Sequence, residues 1–282
     1  MPLEDEFCDI VKKARFGLGQ SLEQVTQETS LSPKDLESFE KGTCVPVAEE
    51  VEACAKALLL KHEALKAVVI EQWEPIPSPS WVEIAVVTVY GDIGGYEVKG
   101  YILFDSATKE AVFIDTAYNA KAMLSELTVR GLKLVGVCLT HGHTDHAGGL
   151  DKILKEWPVS VYLGNGDFPL LSWKPNRGSL VMPQDKQNIS VGALMVTCLA
   201  TPGHTPGGFC YQVSIGKHDL CFVGDTLFAG SIGRSNPFSL YPSHLQSVRE
   251  CVLQLPSETV LLPGHGPATT VKEEMVYNPF GT

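Results

Sequence analysis

The chain has eight cysteines but no CxxC pair and no regular spacing among them. That argues against a zinc knuckle and against a disulfide framework. Cys138 (VGVCLT), Cys198 (VTCLA) and Cys221 (LCFVGD) lie in apolar runs, where a thiol behaves as a small core side chain. No apolar run approaches the roughly 20 residues of a membrane-spanning helix. The opening MPLEDEF lacks the basic flank of a secretory leader. Basic residues are outnumbered, 22 Lys and Arg against 33 Asp and Glu, for a net charge of −11. Such a balance disfavours non-specific binding to nucleic acid or to an anionic lipid surface. These absences predict a cytoplasmic protein with reduced thiols and no membrane contact.

What is present falls into two parts. EPIPSPSW (74–81) holds three prolines in five positions and reads as an extended connector. Residues 1–73 before it predict about five short helices. Ser21 is placed to cap one, Ser32 followed by Pro33 to start another, and Gly42 to end it. Residues 81–282 change rhythm. VEIAVVTVY, KGYILFD, EAVFIDT, KLVGVCLT, VSVYLG, LMVTCLA, GFCYQV, LCFVGD and TVLLPG are short β-branched or aromatic runs bounded by turn residues. Helical patterns intervene near 119–130, 147–156 and 243–254. The order predicts an α/β fold of two sheets flanked by helices.

The histidines are unevenly spread. THGHTDHAGG (140–149) places His141, His143 and His146 around Asp145, directly after a buried strand. Side chains at i and i+2 point the same way in extended chain, so His141 and His143 can reach one ion. Asp145 and His146 can face another. Three more strand ends carry a candidate ligand: His204 in TPGHTPGG, Asp225 in FVGDTLF and His265 in LPGHGP. A lone loop histidine is more often structural than a ligand. Four such segments together point to metal, and the His/Asp set without cysteine suits a catalytic site for zinc, iron or manganese. His62, His218 and His244 lack this setting and are expected to be ordinary surface or partly buried residues. Thr140, Thr144, Thr226 and Arg234 are candidates for orienting the ligands.

These motifs, HxHxDH, TPGHTPGG, GDTLFAGSIGR and LPGHGPATT, resemble those of the metallo-β-lactamase-fold hydrolases, in the glyoxalase II-like branch, over essentially all of 81–282. The resemblance implies an αβ/βα sandwich with a dinuclear site between its sheets. It implies that His141, His143 and His204 hold one metal, that Asp145, His146 and His265 hold the other, and that Asp225 bridges them, making Asp145 and Asp225 catalytic. Two divalent ions, zinc first and iron or manganese as alternatives, would make hydroxide available near neutral pH to attack a carbonyl carbon. RFGLGQSLEQVTQETSLSPKDLESFEKG separately resembles the phage-repressor helix-turn-helix, in its RodZ-like subgroup. Residues 1–70, however, hold eight Lys and Arg against thirteen Asp and Glu, a net of −5. Nucleic-acid binding is therefore not expected. Docking to a protein partner, homodimerisation, or simple capping of the second domain are the alternatives for residues 1–73.

The substrate is expected to be a small thioester, lactone or related activated ester. With 17 residues after His265, a counterpart of the glutathione-binding C-terminal domain of full-length glyoxalase II is not expected. The family turn Asp-Pro-Gly is replaced by Asp115-Thr116-Ala117, a change expected to touch no metal ligand. Phe168, Trp173 and Arg177 in 164–187 are expected near the substrate. Two other readings compete: a mononuclear iron persulfide dioxygenase, which shares the fold but flanks its last histidine differently, and a ligand-sensing DNA-binding or scaffold protein.

Overall fold

The structure, a computed structural model, describes residues 2–27 and 29–281. Five helices open the chain: α1 (Phe7–Gly17), α2 (Leu22–Thr26), α3 (Pro33–Glu40), α4 (Ala48–Ala57) and α5 (His62–Val69). Their ends follow local chemistry. Ser21 and Ser32 each accept from a backbone N–H three residues on, and Pro33 opens α3. Gly42, just beyond α3, takes a left-handed φ of 66°.

Two six-stranded sheets follow. The first runs in chain order through β1 (Val86–Ile93), β2 (Tyr96–Phe104), β3 (Glu110–Ile114), β4 (Lys133–Cys138), β5 (Ser160–Tyr162) and β6 (Leu180–Val181). The second contains β7 (Asn188–Val191), β8 (Leu194–Ala200), β9 (Phe209–Ile215), β10 (His218–Gly224), β11 (Val260–Pro263) and β12 (Thr269–Thr270), in the order β12-β11-β10-β9-β8-β7. The remaining helices are α6 (Ala120–Arg130), α7 (Thr144–Ala147), α8 (Leu150–Glu156), α9 (Tyr241–Gln246) and α10 (Val271–Tyr277). No helix among the described residues is long and apolar enough to cross a membrane.

Side-chain alternation explains the layering. Along β10, Leu220 and Phe222 face the first sheet, while Cys221 and Val223 face outward. Both sets are buried, so the second sheet needs cover on each face. Its inner face packs on Tyr101, Val112 and Ile114 of the first sheet. Its outer face shares one apolar cluster with α1, α3, α4, α5 and the 241–253 segment. The outer face of the first sheet is covered by α6 and α8, through Met123, Leu127, Leu150 and Ile153. The result is the αβ/βα sandwich, with the N-terminal helices in its outer layer on the second sheet. That the first five helices share a core with this sheet is not visible in the local pattern.

Two local expectations are corrected. Ser80–Ile84 forms a 3-10 turn, so β1 starts only at Val86. The helix expected at 243–254 is broken: α9 passes into a π turn at Ser247–Cys251 and a 3-10 turn at Val252–Gln254. Three short strands, β6 and β12 of two residues and β7 of four, add to the expected runs.

Candidate metal centre

β8, β10 and β11 run the same way in the second sheet, because β9 is antiparallel to both β8 and β10, and β11 is parallel to β10. Their C-terminal ends share one edge and deliver His204, Asp225 and His265. The chain leaving β4 delivers His141 and His143 from the first sheet, and α7 adds Asp145 and His146. All seven candidates converge, in three overlapping groups that can hold a metal ion: His141, His143, His204; His141, Asp145, His146; and His146, Asp225, His265. Close approach requires small residues. A Cβ on Gly264 would stand 2.3 Å from His146 Cε1 and 2.7 Å from Asp225 Oδ1, so only glycine lets the β11 turn pass.

The donor spacing is informative. His204 Nε2 lies 3.0 Å from His143 Nδ1, and His146 Nε2 lies 3.3 Å from His265 Nε2. Asp145 Oδ2 is 3.4 Å from His265 Nε2 and 3.6 Å from His146 Nε2. Asp225 offers Oδ1 to His146 at 3.2 Å, and Oδ2 to His204 at 3.6 Å and to His265 at 3.7 Å. Ligands about 2.0–2.1 Å from a tetrahedral ion stand roughly 3.3 Å apart.

The outward ring nitrogens are already committed. His146 Nδ1 donates to Asp115 Oδ2 at 2.8 Å, His204 Nδ1 to the Arg234 carbonyl at 2.8 Å, and His265 Nδ1 to the Glu97 carbonyl at 2.6 Å. Each ring therefore turns its Nε2 inward, the arrangement that outer partners impose on metal-binding histidines. The Nε2 atoms of His146 and His265 face each other across the centre, beside the Asp225 carboxylate. His141 Nε2 and Asp225 Oδ1 are buried and have no hydrogen-bond partner among the described residues. Buried polar atoms are rarely left so. The donor set thus fits divalent cations.

Electrostatics agree. Burial drives His141 well below the ordinary histidine value, and drives His204 down to about 3, so both rings stay neutral at physiological pH. Burial alone would raise the Asp225 carboxyl, but the charges of His146 and His265 hold it well below the usual carboxylate range. The site is built to keep an anion between imidazoles.

The supporting residues differ from those expected. Thr140 does serve: its backbone N–H and hydroxyl donate to Asp115, and its hydroxyl meets His141 Nδ1 at 3.1 Å. Arg234 supplies only its carbonyl to His204, and its exposed side chain is elsewhere. Thr226 contributes its carbonyl to His244, and Thr144 opens α7. The Asp115-Thr116-Ala117 turn does reach a candidate ligand, contrary to expectation. Asp115 holds His146, and the Thr116 hydroxyl donates to the carbonyls of His146 at 2.9 Å and Gly148 at 2.7 Å. His244 is not an ordinary surface residue. It is fully buried, binds the Thr226 carbonyl at 2.8 Å, and is pushed down to about 4 by burial. His62 sits beside Glu63, and His218 stacks on Trp81 at 4.4 Å, both away from the centre. Within 164–187, Phe168 carries Lys174 over its ring and Trp173 is exposed.

The residue that matters in that segment is Asp167. Fully buried, it accepts from Gly142 N at 2.9 Å, Thr205 Oγ1 at 2.7 Å and Gly207 N at 2.6 Å. One carboxylate thereby staples the loop of His141 and His143 to the loop of His204. Asp167→Asn keeps the shape but turns an amide N–H toward at least one of these donors. Leaving a buried donor unmet costs about 1–3 kcal/mol. Metal affinity is expected to fall 10- to 100-fold, as for other outer partners of metal ligands. Metal-buffer titration checks this; unchanged affinity with an unchanged melting temperature would remove Asp167 from the site's support.

The sequence profile of the metallo-beta-lactamase superfamily matches residues 99–265. The "Probable metallo-hydrolase YqgX" of Bacillus subtilis is 31% identical over 202 residues, 67% of this chain and 94% of that protein. A "Probable hydroxyacylglutathione hydrolase" of Schizosaccharomyces pombe is 28% identical over 193 residues, 67% of this chain and 68% of its own length. Among solved structures, the B3 metallo-beta-lactamase BLEG-1 aligns with a TM-score of 0.60 and 29% identity, over 70% of this chain and all of that one (100%). TTHA1623 in a di-iron-bound form aligns with a TM-score of 0.59 and 27% identity, over 69% of this chain and 99% of that one. The profile spans more than half of the chain and ends on His265, taking in every candidate ligand, and the chain belongs to the metallo-beta-lactamase superfamily.

Proposed function

We propose that the protein is a dinuclear metal-dependent hydrolase that opens a thioester, lactone or related activated ester. In this reading His141, His143 and His204 hold one divalent ion, Asp145, His146 and His265 hold a second, and Asp225 reaches both. The observation that carries it is the pair of buried atoms without a hydrogen-bond partner among the described residues, His141 Nε2 and Asp225 Oδ1, set among five converging imidazoles. Bound divalent ions supply Lewis acidity: they make water nucleophilic near neutral pH and polarise a carbonyl oxygen.

The chain's own residues do the rest. Asp225 keeps its negative charge at the centre and ties the two groups of histidines together. Asp115, Arg234 and Glu97 fix three of the rings through their Nδ1 protons. Asp145 is the more open of the two carboxylates, with 24% of its side chain exposed against 9% for Asp225. The similarity to a hydroxyacylglutathione hydrolase supports the thioester end of the substrate range.

The test is metal analysis of the purified protein with a panel of thioesters, lactones and a β-lactam. Two equivalents of metal and hydrolysis of a thioester or lactone are expected. One iron per chain, with oxygen uptake on glutathione persulfide and no hydrolysis, would replace this reading with the dioxygenase one.

A further inference from the structure

The segment before α1 reaches the metal centre. Asp5 is buried, accepting from the Ser231 hydroxyl at 2.5 Å and from the Lys13 ammonium. Lys13 also donates to the Ile232 carbonyl at 2.8 Å and lies 5.2 Å over the Phe228 ring, which meets His265 edge-on at 5.8 Å. These contacts pin residues 2–6 onto the loop that follows Asp225. Gly266, the residue after His265, shows how close the segment comes. A Cβ there would stand 3.0 Å from Glu4 Cβ and 3.1 Å from Glu4 N. Glu4 forms no hydrogen bond or ion pair among the described residues and keeps solvent access. Burial raises its carboxyl above the usual value, and the charges it feels are those of His265, Asp5, Asp225 and Lys13, with the Lys99 ammonium, bound to the Gly266 carbonyl, feeling Glu4 in turn. The superfamily profile begins only at residue 99, so nothing in it accounts for this carboxylate.

We infer that Glu4 is a specificity-determining residue: its carboxylate forms part of the rim on the His265 side and favours substrates that carry an ammonium group near the scissile bond over anionic ones. The inference rests on the metal-centre reading above but not on turnover. A free carboxylate that is anchored through its neighbour, rather than through its own side chain, is available to a ligand. Asp5 provides the anchor and Glu4 the charge. An ammonium docked against Glu4 is attracted and a carboxylate there is repelled, a charge-pair effect that water weakens to a several-fold preference.

The experiment uses two thiols of near-equal size, 2-mercaptoethylamine and mercaptoacetate, titrated into the metal-loaded protein by competition with a chromophoric chelating ligand. The wild-type protein is expected to bind the ammonium thiol at least fivefold more tightly than the carboxylate thiol. Glu4→Gln is expected to reduce that ratio at least fivefold with metal content unchanged, while Glu6→Gln, exposed on the same segment, leaves it alone. A wild-type ratio near one, or a ratio equal in wild type and Glu4→Gln, overturns the inference. The hydrolysis panel is scored separately, so failure to cleave any ester counts against the proposed reaction and not against Glu4.

Discussion

Asp225→Ala protein is expected to purify with less than half an equivalent of metal per chain and to lose hydrolysis by more than about 100-fold. The reason lies in the geometry. Asp225 is the one candidate whose two oxygens approach both clusters, His204 through Oδ2 and His146 through Oδ1. It is also the anion that raises His146 and His265 above their ordinary values against the opposing effect of burial. Without it, buried imidazoles are left to share divalent charge with Asp145 alone. Loss of an outer partner of a ligand costs 10- to 100-fold; loss of a carboxylate that serves both ions must exceed that. Asp225→Asn separates charge from shape, since the amide keeps one oxygen near the histidines. It should retain a fraction of one equivalent. Elemental analysis alongside the hydrolysis rate decides the matter, and an Asp225→Ala protein with two equivalents and full activity would falsify the bridging role.

Most of the seven candidate ligands were legible in sequence by a simple rule, and Asp145 and His146 by standing beside His141 and His143. Histidine and aspartate are unusual at the ends of buried strands, and Gly- or Pro-rich turns mark places where the backbone must approach something closely. Asp115 obeys the same rule, closing β3 in FIDT, but reads as part of a turn because its partners, Thr140 and His146, lie 25 and 31 residues away. Asp167 had no such signal: its three partners come from two other loops, and only folding brings them to one carboxylate. His244 sits in a helix, where a histidine looks like a surface residue, and its burial depends on Gly203 and Thr226 closing over it. The layering was half visible. Apolar residues on both faces of β10 state that the second sheet is covered twice, but not which segment does the covering.

That covering segment makes a second large prediction. A chain starting at Glu74, without the helices expected to form a domain over 1–73, should be insoluble or melt about 10–20 °C lower than the full chain, and should bind metal poorly. The outer face of the second sheet contributes Leu199, Val223 and Leu261, and the loop after Asp225 contributes Leu227, to a cluster completed by Ile10, Leu36, Leu58 and Leu65 from the helices. Trp73 stacks on Tyr277 at 4.7 Å, Phe16 stacks on Phe238 at 4.9 Å, and the Tyr241 ring lies so close to Gly17 that a Cβ there would be 2.3 Å away. Re-exposing a fully buried large apolar side chain forfeits about 1.5–3 kcal/mol. A few such losses rival the whole stability of a protein, about 5–15 kcal/mol, and at roughly 2–4 °C per kcal/mol they give the expected shift. The metal centre feels the same loss, because Val68 and Trp73 wall in Gly230, and Asp5 and Lys13 hold Ser231 and Ile232, within the loop that follows Asp225. In the full chain, Trp73→Ala and Lys13→Met probe that link without removing the layer, and both should weaken metal binding more than they lower the melting temperature. A soluble truncated monomer with the wild-type melting temperature and two metal equivalents would show that the helices sit on the catalytic fold without supporting it.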